Sequence, residues 1–96
     1  MSPRIPAKIP LVAEGRDASG MAVREETDTI LVNEAGALIA LAAELGRNDH
    51  CRVTNQTTGA AVLCRITWRS SAPLKGRWSY GIALMNPPDD FWGLKK

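Results

Sequence analysis

The chain has 96 residues, of which 45% are hydrophobic, and it carries a net charge of +2. This length allows one domain with a modest core, and the hydrophobic fraction is too high for a disordered chain. The longest weakly polar run, residues 35–43, is far shorter than the ~20 apolar residues that a membrane helix needs, and the N-terminus lacks the apolar segment of a signal peptide. We therefore expect a single-domain, cytoplasmic protein with no membrane span.

Two prolines and two basic residues, Arg4 and Lys8, lie within the first eight positions. Prolines this close together are incompatible with a regular helix or a central strand. We predict that residues 1–8 form a flexible basic arm and that residues 9–96 form one domain.

Turn-forming residues divide the rest of the chain into short apolar or alternating segments, which is typical of an all-β domain. The predicted strands are 9–14, 21–26, 27–32 (a continuation of the second strand or a bend into a third), 37–41, 51–55, 60–69 and 78–85. Residues 38–45 also suit a helix, since alanine and leucine favour one, but the β-rich surroundings favour a strand. About six short strands with frequent turns predict a closed, six-stranded antiparallel β-barrel.

The clearest hairpin joins residues 51–55 to residues 60–69 through a turn that ends at Gly59. On the returning strand, apolar and polar side chains alternate, as expected for a half-buried antiparallel strand. The apolar face is predicted to hold Val62, Cys64, Ile66 and Trp68, and the outer face Arg65, Thr67 and Arg69.

The same register places the two cysteines, Cys51 and Cys64, directly opposite each other on the apolar face. In a reducing cytoplasm such residues are small, buried, free thiols, which is the favoured interpretation. A redox-switchable cross-strand disulfide is the second interpretation of this pair.

The chain ends with two prolines, two aspartates and two aromatic residues before a short basic end. Asp89 and Asp90 are both suited to cap a short C-terminal helical turn. We expect that turn to dock Phe91 and Trp92 on the body of the barrel.

No catalytic centre is visible in the sequence, and we predict that the protein is not an enzyme. His50 is the one histidine, and no motif places a nucleophile beside it. Cys51, Cys64 and His50 lack the spacing of a zinc site, and the phosphate-binding motifs GxGxxG and GxxxxGK[ST] are missing. We therefore expect no catalytic residues, no bound metal and no cofactor.

Basic residues are the remaining candidates for ligand contact. Arg52, Arg65 and Arg69 are predicted to share the outer face of one hairpin, where arginine can bind phosphate through two nitrogen atoms. An ordinary solvated face explains the same pattern and is favoured. Aromatic residues that could stack on bases are not interleaved with these arginines, so nucleic acid is not an expected partner.

The order of segments along the chain carries a family resemblance. After the basic arm and a glycine-flanked hairpin at residues 15–20 come ETDT (26–29), VNEAGALI (32–39), TNQTTG (54–59), CRITW (64–68), YGIAL (80–84) and PPDDFW (87–92). Together they resemble a PilZ domain over nearly the whole chain. The resemblance implies a bacterial signalling module built on a six-stranded β-barrel, here with a short C-terminal helical turn, whose usual ligand is cyclic di-GMP.

PilZ domains that bind cyclic di-GMP use an RxxxR arm and a [D/N]xSxxG turn. The resemblance implies that Arg4 and Lys8 match the arm, and that Asn33 and Gly36 match the serine and glycine positions of the turn. Lysine in the second arginine position lacks the planar fork, and Leu31 in the acidic position cannot accept a hydrogen bond. The candidate ligand-binding residues are thus Arg4, Lys8, Asn33 and Gly36, with weak or absent binding expected.

The expected function is therefore a PilZ-like signalling or adaptor domain that is a degenerate receptor for cyclic di-GMP. The alternative is a ligand-independent protein-interaction module of motility, pilus or envelope regulation. Another protein is an expected partner in both cases, and a small nucleic-acid-binding barrel is the least favoured hypothesis.

Overall fold

The computed structural model describes residues 3–46 and 49–94. These residues form seven strands and no helix, in agreement with the predicted all-β class. The strands are β1 (Ile5–Pro6), β2 (Pro10–Arg16), β3 (Ala22–Asn33), β4 (Gly36–Leu41), β5 (His50–Asn55), β6 (Ala61–Arg69) and β7 (Trp78–Leu84).

Strands β2 to β7 close into an antiparallel barrel, which confirms the predicted architecture. Around the barrel the order is β3, β2, β5, β6, β7 and β4, and β4 pairs back with β3 to complete the circle. Closure leaves no unpaired barrel edge, and the apolar side chains of each strand point to a common interior. Within the described part of the chain there is no helix that could cross a membrane.

Strand β3 merges the two segments predicted at 21–26 and 27–32 into one strand of 12 residues. Its first half pairs with β2, and its second half pairs with β4. A bulge between Thr29 and Leu31 marks the change of partner. One long strand therefore pairs with both β2 and β4. The bulge allows this because bulges bend a strand and increase its twist.

Part of the predicted arm forms the extra strand β1, in which Ile5 pairs with Val32 and Pro6 with Leu31 of β3. The hydroxyl of Thr29 donates a hydrogen bond to the carbonyl of Ala7, 2.6 Å away. Residues 1 and 2 lie outside the described residues. The flexibility predicted for residues 1–8 stays a prediction, while the pairing fixes where the arm leaves the barrel.

The two cysteines lie opposite each other on β5 and β6, as the hairpin register predicts. Both are free thiols, and both are buried in the core. A hydrogen bond with Cys51, together with burial, raises the pKa of Cys64. The pair therefore belongs to the hydrophobic core, in keeping with the favoured interpretation.

The prediction that Trp68 and Arg69 continue the alternation of β6 is wrong. A bulge between Ile66 and Trp68 shifts the register against β7, so that Trp68 is opposite Gly81 on the outer face and is 47% exposed. Arg69 changes face as well: its guanidinium lies 4.8 Å from the ring centre of Trp78. Val62 and Ile66, which precede the bulge, are buried as predicted.

The prediction of a short C-terminal helical turn is also wrong, because residues 89–92 form hydrogen-bonded turns and no helix. Asp90 has a φ of 53°, which a right-handed helix cannot contain. Phe91 and Trp92 nevertheless dock on the barrel, as predicted, and both are buried. The Asn55 side chain donates a hydrogen bond to the carbonyl of Phe91 at 3.0 Å and thereby fixes the tail across the end of the barrel.

Candidate functional site

A row of five residues crosses the outer face of the barrel from β5 to β3. The strand register places His50 beside Arg65, Arg65 beside Ala83, Ala83 beside Gly36 and Gly36 beside Asn33. Two of the sequence-predicted site residues, Gly36 and Asn33, thus share a row with an arginine that comes from a distant strand.

A second row runs next to the first and is apolar. It contains Trp68 on β6, Gly81 on β7, Leu38 on β4 and Leu31 on β3. Each end of this row lies at a bulge, where an additional side chain is turned outward, since two residues of the bulged strand oppose one on its partner. The outer face here is consequently richer in apolar side chains than strict alternation would allow.

The middle of both rows has almost no side chains. Gly36, Gly81 and Ala83 lie next to one another on β4 and β7, and we call these three residues the shelf. Neither strand contains a charged residue: their sequences are GALIAL and WSYGIAL. The shelf is therefore an uncharged surface with almost no protruding side chains, and it lies between Trp68 on one side and Leu38 on the other.

Close packing explains why Gly36 has no side chain. A methyl group built on Gly36 would collide with the carbonyl oxygen of Ile82 on β7. Gly81 is less restricted, because a methyl group there would lie 3.4 Å from Trp68 Cβ and 3.5 Å from Thr67 Oγ1, which are ordinary contact distances.

The guanidinium group of Arg4 lies over the shelf. A methyl group on Gly36 would be 3.3 Å from Arg4 Nη2, and one on Gly81 would be 3.7 Å from Arg4 Nη1. Pairing of the adjacent Ile5 with Val32 holds the arm in this position. The structure thus brings together two residues that the sequence nominated separately, Arg4 and Gly36.

Asn33 shapes the turn between β3 and β4. Its side-chain oxygen accepts hydrogen bonds from the backbone N–H groups of Ala35 at 2.9 Å and Gly36 at 2.8 Å, which is a typical role of asparagine in turns. Its carbonyl accepts a hydrogen bond from Trp92 Nε1 at 2.8 Å. Asn33 therefore links the shelf, through the turn, to the C-terminal tail.

Lys8 lies in the link between β1 and β2 and is exposed. Its side chain forms no hydrogen bond or ion pair with the residues that the structure describes. Of the two basic residues predicted in the arm, Arg4 is the one that reaches the shelf.

Two arginines lie at the shelf: Arg4 over Gly36 and Gly81, and Arg65 next to Ala83. Two other arginines, Arg69 and Arg77, form ion pairs with Glu44 at 3.2 Å and Glu25 at 3.9 Å. Arg4 and Arg65 form none within residues 3–46 and 49–94. An anion on the shelf would meet two uncompensated guanidinium groups and an uncharged floor, so the site favours anionic ligands.

A separate groove of about 460 Å³ lies at one end of the barrel, between the arm and the tail. Its wall includes Asn33 and three carboxylates, those of Glu34, Asp89 and Asp90, among apolar side chains. Carboxylates repel phosphate, so the shelf and not this groove is the candidate site for an anion. Among the described residues, no group of three or more metal-ligating side chains is arranged to hold a metal ion.

Sequence reasoning missed Gly81, Trp68 and the position of Arg65 relative to the shelf. A glycine inside a strand is a recognised sign of a bulge or of close approach, so Gly81 carried a usable signal. Trp68 carried none, because its exposure results from a bulge that alternation does not reveal. Arg65 was noticed as basic, but its neighbours on β7 and β4 depend on pairing between distant segments.

The fold and the shelf define a small, closed, antiparallel β-barrel. Its outer surface carries a basic site with almost no protruding side chains. Comparisons with protein-family models, curated proteins and solved structures found no match to the chain. The resemblance to PilZ domains therefore stays a prediction from the order of sequence segments.

Proposed function

We propose that this protein is a PilZ-like bacterial signalling module whose shelf binds cyclic di-GMP weakly. The observation that carries the proposal is the guanidinium of Arg4 lying across Gly36 and Gly81. That placement supports the pairing of an arm arginine with a turn glycine that the sequence resemblance implies.

The chemistry of the shelf suits such a ligand. A guanidinium group can bind either a phosphate or the acceptor edge of guanine through two parallel hydrogen bonds. Glycine allows a flat base to approach the backbone closely, which a larger side chain would prevent. Arg4 supplies the first element, and Gly36 with Gly81 supplies the second.

Two departures from the family pattern make the proposed binding weak. Leu31 lies beside Leu38 in the apolar row and offers no hydrogen-bond acceptor, and Lys8 lacks the fork of arginine. A lost charge-assisted hydrogen bond costs roughly 1.5–3 kcal/mol, so losing two reduces affinity roughly 100-fold or more. We expect a dissociation constant in the micromolar to millimolar range.

Replacing Arg4 by alanine should weaken binding of cyclic di-GMP at least about tenfold, as measured by isothermal titration calorimetry. The melting temperature should hardly change, because Arg4 is exposed. Arg24→Ala is the matched control: it removes the same charge from an exposed position on β3, opposite Glu14 of β2, and should leave affinity within about twofold. No heat from the wild-type protein at ligand concentrations near a millimolar would rule out the receptor function.

A second candidate function, a ligand-independent protein-interaction module, is favoured by an apolar extension of the same outer face. Leu63 is 48% exposed and Met85 is 40% exposed, and the N–H of Met85 donates a hydrogen bond to the carbonyl of Leu63 at 2.9 Å. The patch adjoins the row of Arg65 and Ala83. An apolar patch beside Arg65, which forms no ion pair with the described residues, suits a partner surface that is apolar with acidic residues at its rim.

A photo-reactive amino acid at position 63 tests this second function in the native host cell. We expect a discrete cross-linked partner from position 63 and none from position 24, which lies on a charged part of the barrel surface. The same partner captured from both positions, or no cross-link from either, would contradict a docking role for the Leu63 patch.

A further inference from the structure

A tight β-hairpin connects β6 to β7, and we call its residues 71–77 the finger. Leu74 and Arg77 exchange two backbone hydrogen bonds, of 2.8 and 3.0 Å, across the turn. The two residues between them have positive φ angles, 53° at Lys75 and 78° at Gly76, which is the geometry of a two-residue hairpin turn. All seven residues of the finger are exposed. The finger is therefore a hydrogen-bonded hairpin that projects from the barrel.

The finger has an apolar tip with basic neighbours. Leu74 is 77% exposed, more than any other large hydrophobic side chain that the structure describes. Lys75 is exposed as well and forms no hydrogen bond or ion pair with the described residues. Arg77 forms a long ion pair with Glu25 at 3.9 Å and remains half exposed. Because little of Leu74 is covered, its side chain contributes little to the stability of the fold and is available to a partner.

The groove between the arm and the tail has the complementary features. Its volume of about 460 Å³ lies within the range of roughly 300–1,000 Å³ that is typical of ligand pockets, so it has room for a leucine side chain. Two exposed apolar side chains, Ile5 and Leu94, form part of its wall together with two prolines. The described residues that line the groove include three carboxylates and no base; the carboxylates are those of Glu34, Asp89 and Asp90.

The finger and the groove lie at opposite ends of the barrel. Trp78, the first residue of β7, follows the finger directly. Leu84, the last residue of β7, donates a hydrogen bond to the carbonyl of Ala35 at 2.8 Å, in the turn that carries Glu34 of the groove. Seven residues of strand span about 20 Å. A finger therefore cannot reach the groove of its own molecule and can enter only that of another.

We infer that the finger of one copy of this protein docks in the groove of a second copy. Leu74 enters among the apolar side chains of the groove, and Lys75 lies beside its carboxylates. Burial of the leucine supplies most of the affinity, because exposed ion pairs contribute little, while the opposite charges set the orientation.

Such a contact joins two different surfaces, so each bound copy still presents one free finger or groove and further copies can add head to tail. One finger buries less than the roughly 1,200 Å² of a stable interface, and the association is correspondingly weak. The shelf and its ligand take no part in it, so the inference goes beyond the proposed function.

Analytical ultracentrifugation tests the contact through the average molecular mass. The mass of the wild-type protein should rise with concentration, and Leu74→Ser should weaken the association about tenfold or more. Met21→Ser is the matched control, because it removes another exposed apolar side chain from a turn, and it should change the association less than about twofold. A wild-type protein that is monomeric up to about a millimolar would overturn the inference.

A second pair of variants tests the groove. Asp89→Lys should weaken the association about tenfold or more, because the new ammonium group repels Lys75. Glu14→Lys makes the same charge change at an exposed position on β2 and should alter the association less than about twofold. If Leu63→Ser abolishes the association while Leu74→Ser leaves it intact, the contact belongs to the Leu63 patch and the inference is wrong.

Mixing two variants shows whether the finger and the groove meet each other. Leu74→Ser retains an intact groove, and Asp89→Lys retains an intact finger. At a concentration where each variant alone is monomeric, their equimolar mixture should form a dimer of twice the 10.4 kDa chain mass and nothing larger, because the remaining finger and groove are both altered. A mixture that stays monomeric, or that grows beyond the dimer, would contradict docking of the finger in the groove.

Discussion

Replacing Gly36 by alanine should lower the free energy of unfolding by about 3 kcal/mol, although it adds only one methyl group. The added carbon would collide with the carbonyl oxygen of Ile82 and lie 3.2 Å from its carbonyl carbon. Both atoms belong to the backbone of β7, so the conflict cannot be relieved by a side-chain rotation. Relief requires β4 and β7 to move apart, and this weakens their hydrogen bonds.

For a domain of this size, such a loss corresponds to a fall in melting temperature of about 15 °C. Urea titration followed by circular dichroism measures both quantities. Gly81→Ala is the matched control, because its nearest contacts are ordinary and alanine reduces the conformational entropy of the unfolded chain. Its free energy of unfolding should stay within about 1 kcal/mol of the wild type.

Equal destabilisation by the two substitutions would show that the close approach at Gly36 is not a special feature of the barrel. The predicted difference also has a practical consequence for the shelf. Gly36→Ala perturbs the fold and the site together, whereas Gly81→Ala alters the floor of the site alone. The second variant is therefore the one that can report on ligand binding.

The barrel could be predicted from the sequence because its evidence is local. Alternation along β6 and the turn ending at Gly59, which has a φ of 80°, fix the β5–β6 hairpin and the opposition of Cys51 and Cys64. These signals depend on residues within one hairpin, where turn length sets the register. Closure then follows from the number and shortness of the strands.

The two bulges could not be predicted, because a bulge is a property of two paired strands. The bulge before Trp68 depends on how β6 aligns with β7, and nothing in the alternation of β6 alone marks it. The error about Trp68 had a functional consequence, since it placed in the core an aromatic residue that in fact lies on the outer face, next to the strand positions of the arginines. The argument against base stacking in the sequence rested on that placement.

The candidate site could be predicted only in part, for a related reason. The order of motifs along the sequence identified Arg4 and Gly36 as candidate residues. That the two lie close together depends on the pairing of β1 with β3. Gly81 joins them through the pairing of β4 with β7, two strands between which residues 42–77 intervene. In the tail, Asp89 and Asp90 are suitable capping residues and therefore suggested a helical turn. The left-handed backbone at Asp90 is incompatible with such a turn.

Replacing Tyr80 by phenylalanine should lower the free energy of unfolding by about 2–3 kcal/mol at neutral pH. The Tyr80 hydroxyl donates a hydrogen bond to the carbonyl of Ala43 at 2.6 Å and accepts one from the N–H of Leu45 at 2.8 Å. Tyr80 is fully buried, and Leu45 is buried as well. Phenylalanine would leave two backbone groups without partners where water has little access.

Ser70→Ala is the matched control for loss of a hydroxyl that binds the backbone. The Ser70 hydroxyl accepts a hydrogen bond from the N–H of Ser79 at 3.0 Å, but both residues are only half-buried, so water can replace it. We expect a loss of less than about 1 kcal/mol from this change. A Tyr80→Phe variant no less stable than Ser70→Ala would contradict the proposed role of the tyrosine in holding residues 42–46 to the barrel.

The same hydroxyl makes stability depend on alkaline pH. Burial raises the pKa of Tyr80 above its ordinary value of 10.0, while the hydrogen bond from Leu45 opposes the rise. Because the folded-state pKa is higher than that of the unfolded chain, the unfolded state loses its proton first. The stabilisation is therefore complete below pH 10 and is lost as the pH rises through the folded-state pKa.

The chain has one tyrosine, so the comparison with Tyr80→Phe isolates this titration from those of lysine and cysteine. The difference in free energy of unfolding between wild type and variant should be constant near neutral pH and should shrink above a pH of about 10. Urea titrations at neutral and alkaline pH measure it, and the tyrosinate absorbance of the folded protein locates the pKa directly. A difference that stays constant, or grows, above pH 10 would show that the hydroxyl is not held as a buried donor between β7 and residues 42–46.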